Sequence, residues 1–200
     1  MLRKNVFVAG VALLALGAVL LGYGILTKSQ LEGAIGMHDW SITWYEMNDQ
    51  LGGYGQVLGT STAPLRFDMT TVSFQGRSEH VGFMATTTID LAEDSTVWFQ
   101  IGSDDGSQLY VDGMALINNW QLQAYQTMSA ELQLTRGTHR LEMWFYQWEG
   151  GARVSFDCSL PGLQDAINVA VAGGFLLALG VVIALIGFRL KPKVAQRSGS

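Results

Sequence analysis

The chain has 200 residues, 17 of them acidic and 12 basic; it is 48% hydrophobic and only 14% charged. Soluble domains carry about 25% charged residues, so this is not the composition of an ordinary soluble globule, and the net charge of −5 disfavours a nucleic-acid-binding face, which must be basic. The charge is also segregated. All acidic residues lie between Glu32 and Asp165, whereas Arg3, Lys4, Arg189, Lys191, Lys193 and Arg197 make both ends of the chain purely basic.

After the basic residues 1–4, the first predicted element is a transmembrane helix over 5–27. Asn5 to Leu26 is 22 residues without a charge or a proline. As a helix it spans about 33 Å, enough to cross a hydrocarbon core of about 30 Å. The rival reading is a cleaved signal peptide. Its apolar region should be about 7–15 residues and end in a small-residue site; Tyr23-Gly24-Ile25-Leu26-Thr27 has no such pattern. Residues 28–39 read as a polar linker.

A β domain is predicted over 40–160. Trp40, Ile42 and Trp44 alternate with Ser41 and Thr43, the period-two signature of a half-buried strand. The Gly-, Ser- and Thr-rich stretch 51–64 reads as a loop. Further strands are expected at 65–75, 80–91, 96–102, 107–111, 114–118, 127–135, 138–147 and 152–158. Asp112-Gly113 between two apolar runs is a hairpin signal, because both residues tolerate positive φ. Short strands at this spacing imply a sandwich or barrel. Trp98 and Trp144, in mid-strand, are expected in the core; Trp120 and Trp148 fall at strand ends or in loops.

Pro161-Gly162 ends the β region, and a second transmembrane helix is predicted over 166–188, followed by a basic tail at 189–200. Ile167 to Phe188 is again 22 uncharged residues. With basic residues flanking the outer ends of both helices, the positive-inside rule places both termini in the cytoplasm and the β domain outside the cell membrane. Glycine recurs every seven residues in both helices, at Gly10, Gly17 and Gly24 and at Gly173, Gly180 and Gly187. Small-residue stripes allow close helix packing, so the two helices are expected to pair along them; the same stripes could serve partner membrane subunits. Neither helix contains an ionisable residue, which argues against an ion or substrate path. The single Cys158 reads either as a small core residue or as an intermolecular disulfide.

The segment Val97-Trp-Phe-Gln-Ile-Gly-Ser-Asp-Asp-Gly-Ser-Gln-Leu-Tyr-Val-Asp-Gly-Met-Ala-Leu-Ile-Asn-Asn-Trp120 resembles the core of the protective-antigen-like domain. That family recurs in bacterial toxins, glycosidases and fungal adhesins. Leu134-Thr-Arg-Gly-Thr-His139 and Gly150-Gly151-Ala152 match its later motifs, so that the resemblance covers about residues 40–158. It implies a β-sandwich or barrel that often binds carbohydrate. It also implies that Asp104 and Asp105 are joined by a cis peptide and bind Ca2+, which holds sugar hydroxyls. The chemistry is consistent, since Ca2+ takes six to eight oxygen ligands. The competing role of Asp104, Asp105 and Gly106 is a metal-free turn.

The candidate ligand-binding residues are therefore Asp104, Asp105, Asn118, Asn119, Trp120 and Trp148, with Asp104 and Asp105 as candidate metal ligands. Asn118 and Asn119 read equally well as loop caps. His38, His80 and His139 are scattered, and no H-E-x-x-H or G-x-S-x-G occurs, so catalysis is not expected. The leading reading is a membrane-anchored cell-surface binding module for carbohydrate, with Ca2+ as its candidate cofactor. The alternative is a non-catalytic accessory subunit of a larger membrane complex, using the β domain for protein contacts.

Overall fold

The computed structural model describes residues 2–48, 50 and 52–189; Lys191, Lys193 and Arg197 of the expected basic tail lie outside them. The described chain forms two compact units, a β unit and a pair of terminal helices.

The β unit runs β1 (Ile35–Met37), β2 (Trp40–Met47), β3 (Tyr54–Ala63), β4 (Phe67–Met69), β5 (Val81–Leu91), β6 (Ser95–Asp104), β7 (Gly106–Val111), β8 (Met114–Asn119), β9 (Gln126–Leu134), β10 (Gly137–Gln147) and β11 (Arg153–Ser159). One sheet has the order β3-β2-β5-β10-β7-β8, with β1 also paired to β5; the other is β4-β11-β6-β9. Every pairing between these strands is antiparallel. The two sheets pack face to face as a sandwich. Trp40 of β2 meets Phe156 of β11 at 5.0 Å, is fully buried, and its indole N–H donates to the Leu65 carbonyl at 2.8 Å. Truncating such a ring costs about 3–5 kcal/mol. Period-two alternation is clean in β5, where Val81, Phe83, Ala85, Ile89 and Leu91 point inward. The Asp112-Gly113 turn has φ of 50° and 81°, the doubly positive geometry that a two-residue hairpin needs.

Several expectations are corrected. Residues 54–63 of the expected loop form β3, an edge strand paired only with β2. An edge strand buries little, so its Gly/Ser/Thr sequence shows no apolar alternation. The expected 28–39 linker is instead the end of a helix, through Gly33, and strand β1. Within 65–75, only Phe67–Met69 is strand. Trp98 and Trp144 are half-buried on outward faces, because Val97 and Phe99, and Met143 and Phe145, hold the inward positions. Cys158 is fully buried, and burial chiefly pushes its thiol up to about 12. It is a core residue and not a reactive thiol.

The helix unit pairs α1 (Leu2–Gly33) with α2 (Leu163–Arg189). Both are long and apolar enough to cross a membrane. Among the described residues, the buried positions of α1 are Gly10, Gly17 and Gly24; those of α2 are Ala166, Gly173, Gly180 and Gly187. The glycine stripes face each other. A Cβ added at Gly17 would stand 2.8 Å from the Gly173 carbonyl oxygen, and one at Gly180 would stand 2.9 Å from that of Gly10. No side chain fits there without moving backbone, so Gly17→Leu is expected to open the pair. Spin labels at the outward positions Val19 and Phe175 would read a lengthened and broadened distance; an unchanged distance would refute this packing.

A carboxylate corner at one end of the sandwich

Asp104 ends β6 in the four-stranded sheet, and Gly106 begins β7 in the seven-stranded sheet. Asp105 alone makes the crossing, and the Asp104–Asp105 peptide bond is cis, as the resemblance implies. Two other crossings between the sheets reach the same corner: residues 120–125 between β8 and β9, and 148–152 between β10 and β11. Asp105 ties them together. Its carboxylate, in a residue only 5% exposed, accepts the Gln123 backbone N–H at 3.2 Å on Oδ1 and the Trp148 backbone N–H at 2.8 Å on Oδ2. The Gln123 side-chain amide donates to the Asp105 carbonyl at 3.3 Å. Beneath it, the buried hydroxyls of Ser103 and Ser107 bond each other at 2.7 Å.

Asp104 is the more open of the two carboxylates. Burial, and then the neighbouring Asp105 charge, push its carboxyl above the usual range, against the lowering effect of a hydrogen bond from the Tyr125 backbone. Gly151 lies beside it, and a Cβ there would be in ordinary contact at 3.9 Å from Asp104 Oδ2.

Gly106 has a specific packing reason. The Tyr146 ring lies across it, and a Cβ at Gly106 would stand 2.7 Å from Tyr146 Cζ. Trp120 covers that tyrosine at 4.7 Å. The Tyr146 hydroxyl is buried and, among the described residues, lacks a hydrogen-bond partner, as does Gln147 Oε1. Burial and the Asp105 charge push the Tyr146 hydroxyl up to about 12.

The structure thus gathers Asp104, Asp105 and Trp148 directly, and Trp120 through Tyr146. The Trp148 indole itself rests on His80 at 4.4 Å. Asn119 is buried at the margin of the corner. Its Oδ1 accepts from Gln121 at 3.2 Å, and Gln121 in turn donates to Gln123 at 3.1 Å. Asn118 is not brought in. Adjacent strand residues face opposite ways, and its amide accepts from Gln108 at 2.9 Å on the exposed side. Sequence reasoning missed Gln123, Tyr146 and Gln147. Only Gln147 left a signal, a polar residue at an inward position of β10. No group of three or more His, Cys, Asp or Glu side chains suited to a metal occurs among the described residues.

A family model described as the PA14 domain matches residues 42–164. Among solved structures, an anti-sigma factor domain-containing protein aligns with TM-score 0.55 and 22% identity, covering 65% of this chain and 44% of that one. A PA14 sugar-binding domain from an RTX adhesin aligns with TM-score 0.53 and 17% identity, covering 64% and 92%. A β-glucosidase from Kluyveromyces marxianus aligns with TM-score 0.48 and 9% identity, covering 60% and 16%. The chain therefore spans less than half the length of the first of these and a small part of the last. At such identities the likeness to the first two is one of fold alone. No curated protein matches the chain.

Proposed function

Because this chain belongs to the PA14 domain family, we propose that it is a membrane-anchored, non-catalytic module that binds carbohydrate at the Asp104–Asp105 corner with Ca2+ as cofactor. The observation that carries the reading is the pair of adjacent carboxylates at the meeting of three loops. One is fixed by two backbone amides, and the other lies more open beside it. The sugar-binding relative from the RTX adhesin supports carbohydrate as the ligand.

The residues fit Ca2+ in kind and in charge. Carboxylate oxygens are hard donors, and each Asp105 oxygen spends only one lone pair on its amide. Burial, and then repulsion from the Asp105 charge, raise the Asp104 pKa, and a divalent cation would offset that repulsion. Asp104 and Asp105 would hold the ion. When bound, it supplies a Lewis-acidic centre to which vicinal sugar hydroxyls can coordinate. Two carboxylates fill at most four of the six to eight positions, which leaves room for those hydroxyls and for water. The protein's own part is to fix Asp105 through Gln123 and Trp148 and to leave Asp104 the more open of the two.

The two apolar helices anchor this module in the cell membrane, with the basic termini in the cytoplasm and the acidic β domain outside. Protease added to intact cells should digest residues 40–160 and spare tags on either terminus. For the ligand, the full chain in nanodiscs is applied to a glycan array. Binding is expected in millimolar Ca2+, with loss on EDTA treatment and in Asp104→Asn. Failure to bind any glycan in Ca2+ overturns the reading. Constant-ratio co-purification with other membrane proteins would then favour an accessory subunit.

A further inference from the structure

Five half-buried aromatic side chains adjoin one another on the outward face of the seven-stranded sheet: Tyr45 of β2, Tyr54 of β3, Tyr110 of β7, Trp144 of β10 and Trp120 just after β8. Tyr54, Trp120 and Trp144 are mutual neighbours. Their ring centroids lie 6.1, 6.1 and 6.4 Å apart, and the planes cross at 64°, 65° and 72°. Each ring therefore buttresses the other two. Tyr45 extends the run at 5.0 Å from Tyr54, and Tyr110 extends it the other way at 5.7 Å from Trp144. The Tyr54 hydroxyl is pinned into the sheet, its one proton shared between the carbonyls of Phe83 and Phe145, which lie 2.9 Å away each. From β2 across β5 and β10 to β7 is three strand spacings, about 14 Å, more than one sugar ring in length.

The fringe of this face is neutral. Gln108 and Asn118 lie beside Trp144 in the ladder, and their amides bond each other, with the Tyr110 hydroxyl joining Gln108 at 3.1 Å. Glu142 is the charged neighbour, and both its oxygens are occupied. Oε1 accepts the Trp144 indole N–H and Oε2 accepts the Arg140 guanidinium, each at 2.7 Å. Rings that take C–H surface, edged by neutral amides and hydroxyls, match a neutral polyhydroxylated chain. A face built for an anionic lipid surface would carry several free Lys or Arg residues instead. The run is continuous with the carboxylate corner. Trp120 packs on Tyr146 at 4.7 Å, and the Tyr146 ring lies over Gly106, the residue next to Asp105.

We infer that this aromatic face is an extended subsite that takes the continuation of a glycan whose first sugar sits at the Asp104–Asp105 corner. It selects linear neutral oligosaccharides over single sugars. The inference rests on the carbohydrate reading above and adds the length and character of the ligand.

Calorimetry on the full chain in nanodiscs tests it. The probes are the methyl glycosides of glucose, mannose and galactose and the linear oligosaccharides of the same sugars. In the series that binds, the oligomer is expected to bind about tenfold tighter than its methyl glycoside. Trp144→Ala and Tyr110→Ala should each remove most of that gain and leave methyl glycoside affinity unchanged. Trp144→Phe, which keeps a ring, should retain it, separating lost stacking from misfolding. Oligomers that bind no tighter than single sugars, or variants that leave oligomer affinity intact, overturn the extended subsite while the corner stands. Absence of binding by every probe removes the carbohydrate reading, and this inference with it.

Discussion

Asp105→Ala is expected to abolish Ca2+-dependent binding and also to destabilise the β domain by about 3 kcal/mol. The carboxylate is buried and is the acceptor for two backbone N–H groups from two different loops, those of Gln123 and Trp148. Removing it strands both donors, and each buried unsatisfied amide costs about 1–3 kcal/mol. Water entering at the end of the sandwich recovers part of that cost, hence the lower figure.

Asp104→Asn separates binding from stability. It should abolish binding equally and leave the metal-free domain no less stable. The Asp104 pKa is raised above its unfolded value, so the folded state binds that proton more tightly. The raised group therefore costs stability at neutral pH, and the cost vanishes as the pH falls through its folded value. Neutralising the side chain removes it permanently. Urea titration followed by tryptophan fluorescence in EDTA, run beside calorimetry in Ca2+, distinguishes the two variants. If Asp105→Ala is as stable as the parent chain, Asp105 is not the knot joining the three crossings. If Asp104→Asn binds glycan with parental affinity, the corner is a turn and not a site.

How far the sequence revealed this arrangement follows from which signals are local. The hairpin at Asp112-Gly113 and the presence of strands at β5 and β10 depend on signals close together along the chain. So do the seven-residue glycine stripes, and all were legible. Strand β3 was not, because an edge strand is defined by what it lacks on one side. The corner was half legible. Asp104 and Asp105 stood out through family resemblance, yet Gln123 lies 18 residues away and Trp148 43 residues away. No spacing rule links them. Asn118 and Asn119 were indistinguishable as letters, and only the β8 register turns one toward the corner and the other toward Gln108. Trp144 was misread as core because a large aromatic in mid-strand gives no sign of its face. The parity of Met143 and Phe145 is what settles it.

His139→Leu is expected to lower stability by about 2 kcal/mol near pH 5.5, and by progressively less as the pH rises. His139 lies near the start of β10, the strand that carries Tyr146 and leads into Trp148, and its ring is only 10% exposed. Nδ1 lies 2.7 Å from Asp112 Oδ2, and Nε2 lies 2.8 Å from the Thr135 carbonyl. Both partners only accept, so both bonds exist only when the imidazole carries two protons. Burial alone would lower the histidine pKa. The Asp112 hydrogen bond, the Thr135 carbonyl and the Asp112 charge outweigh it, and the pKa stands above the ordinary histidine value of 6.5. Burial likewise pushes Asp112 up, but its bonds to His139 and to the Arg140 amide hold it below 3.8. The signs then fix the window. The raised histidine contributes fully below pH 6.5, and its contribution is lost as the pH climbs through the folded value. The depressed aspartate contributes above pH 3.8, and its contribution is lost as the pH falls through its own folded value. Between those limits the clamp from the β7–β8 turn to β10 is complete. Because the Asp112 side chain is half exposed, solvent screens its share, which holds the loss to about 2 kcal/mol. The difference between parent and His139→Leu melting curves should therefore peak between pH 4 and 6.5 and shrink on both sides. A difference independent of pH would mean that the ring acts by packing alone.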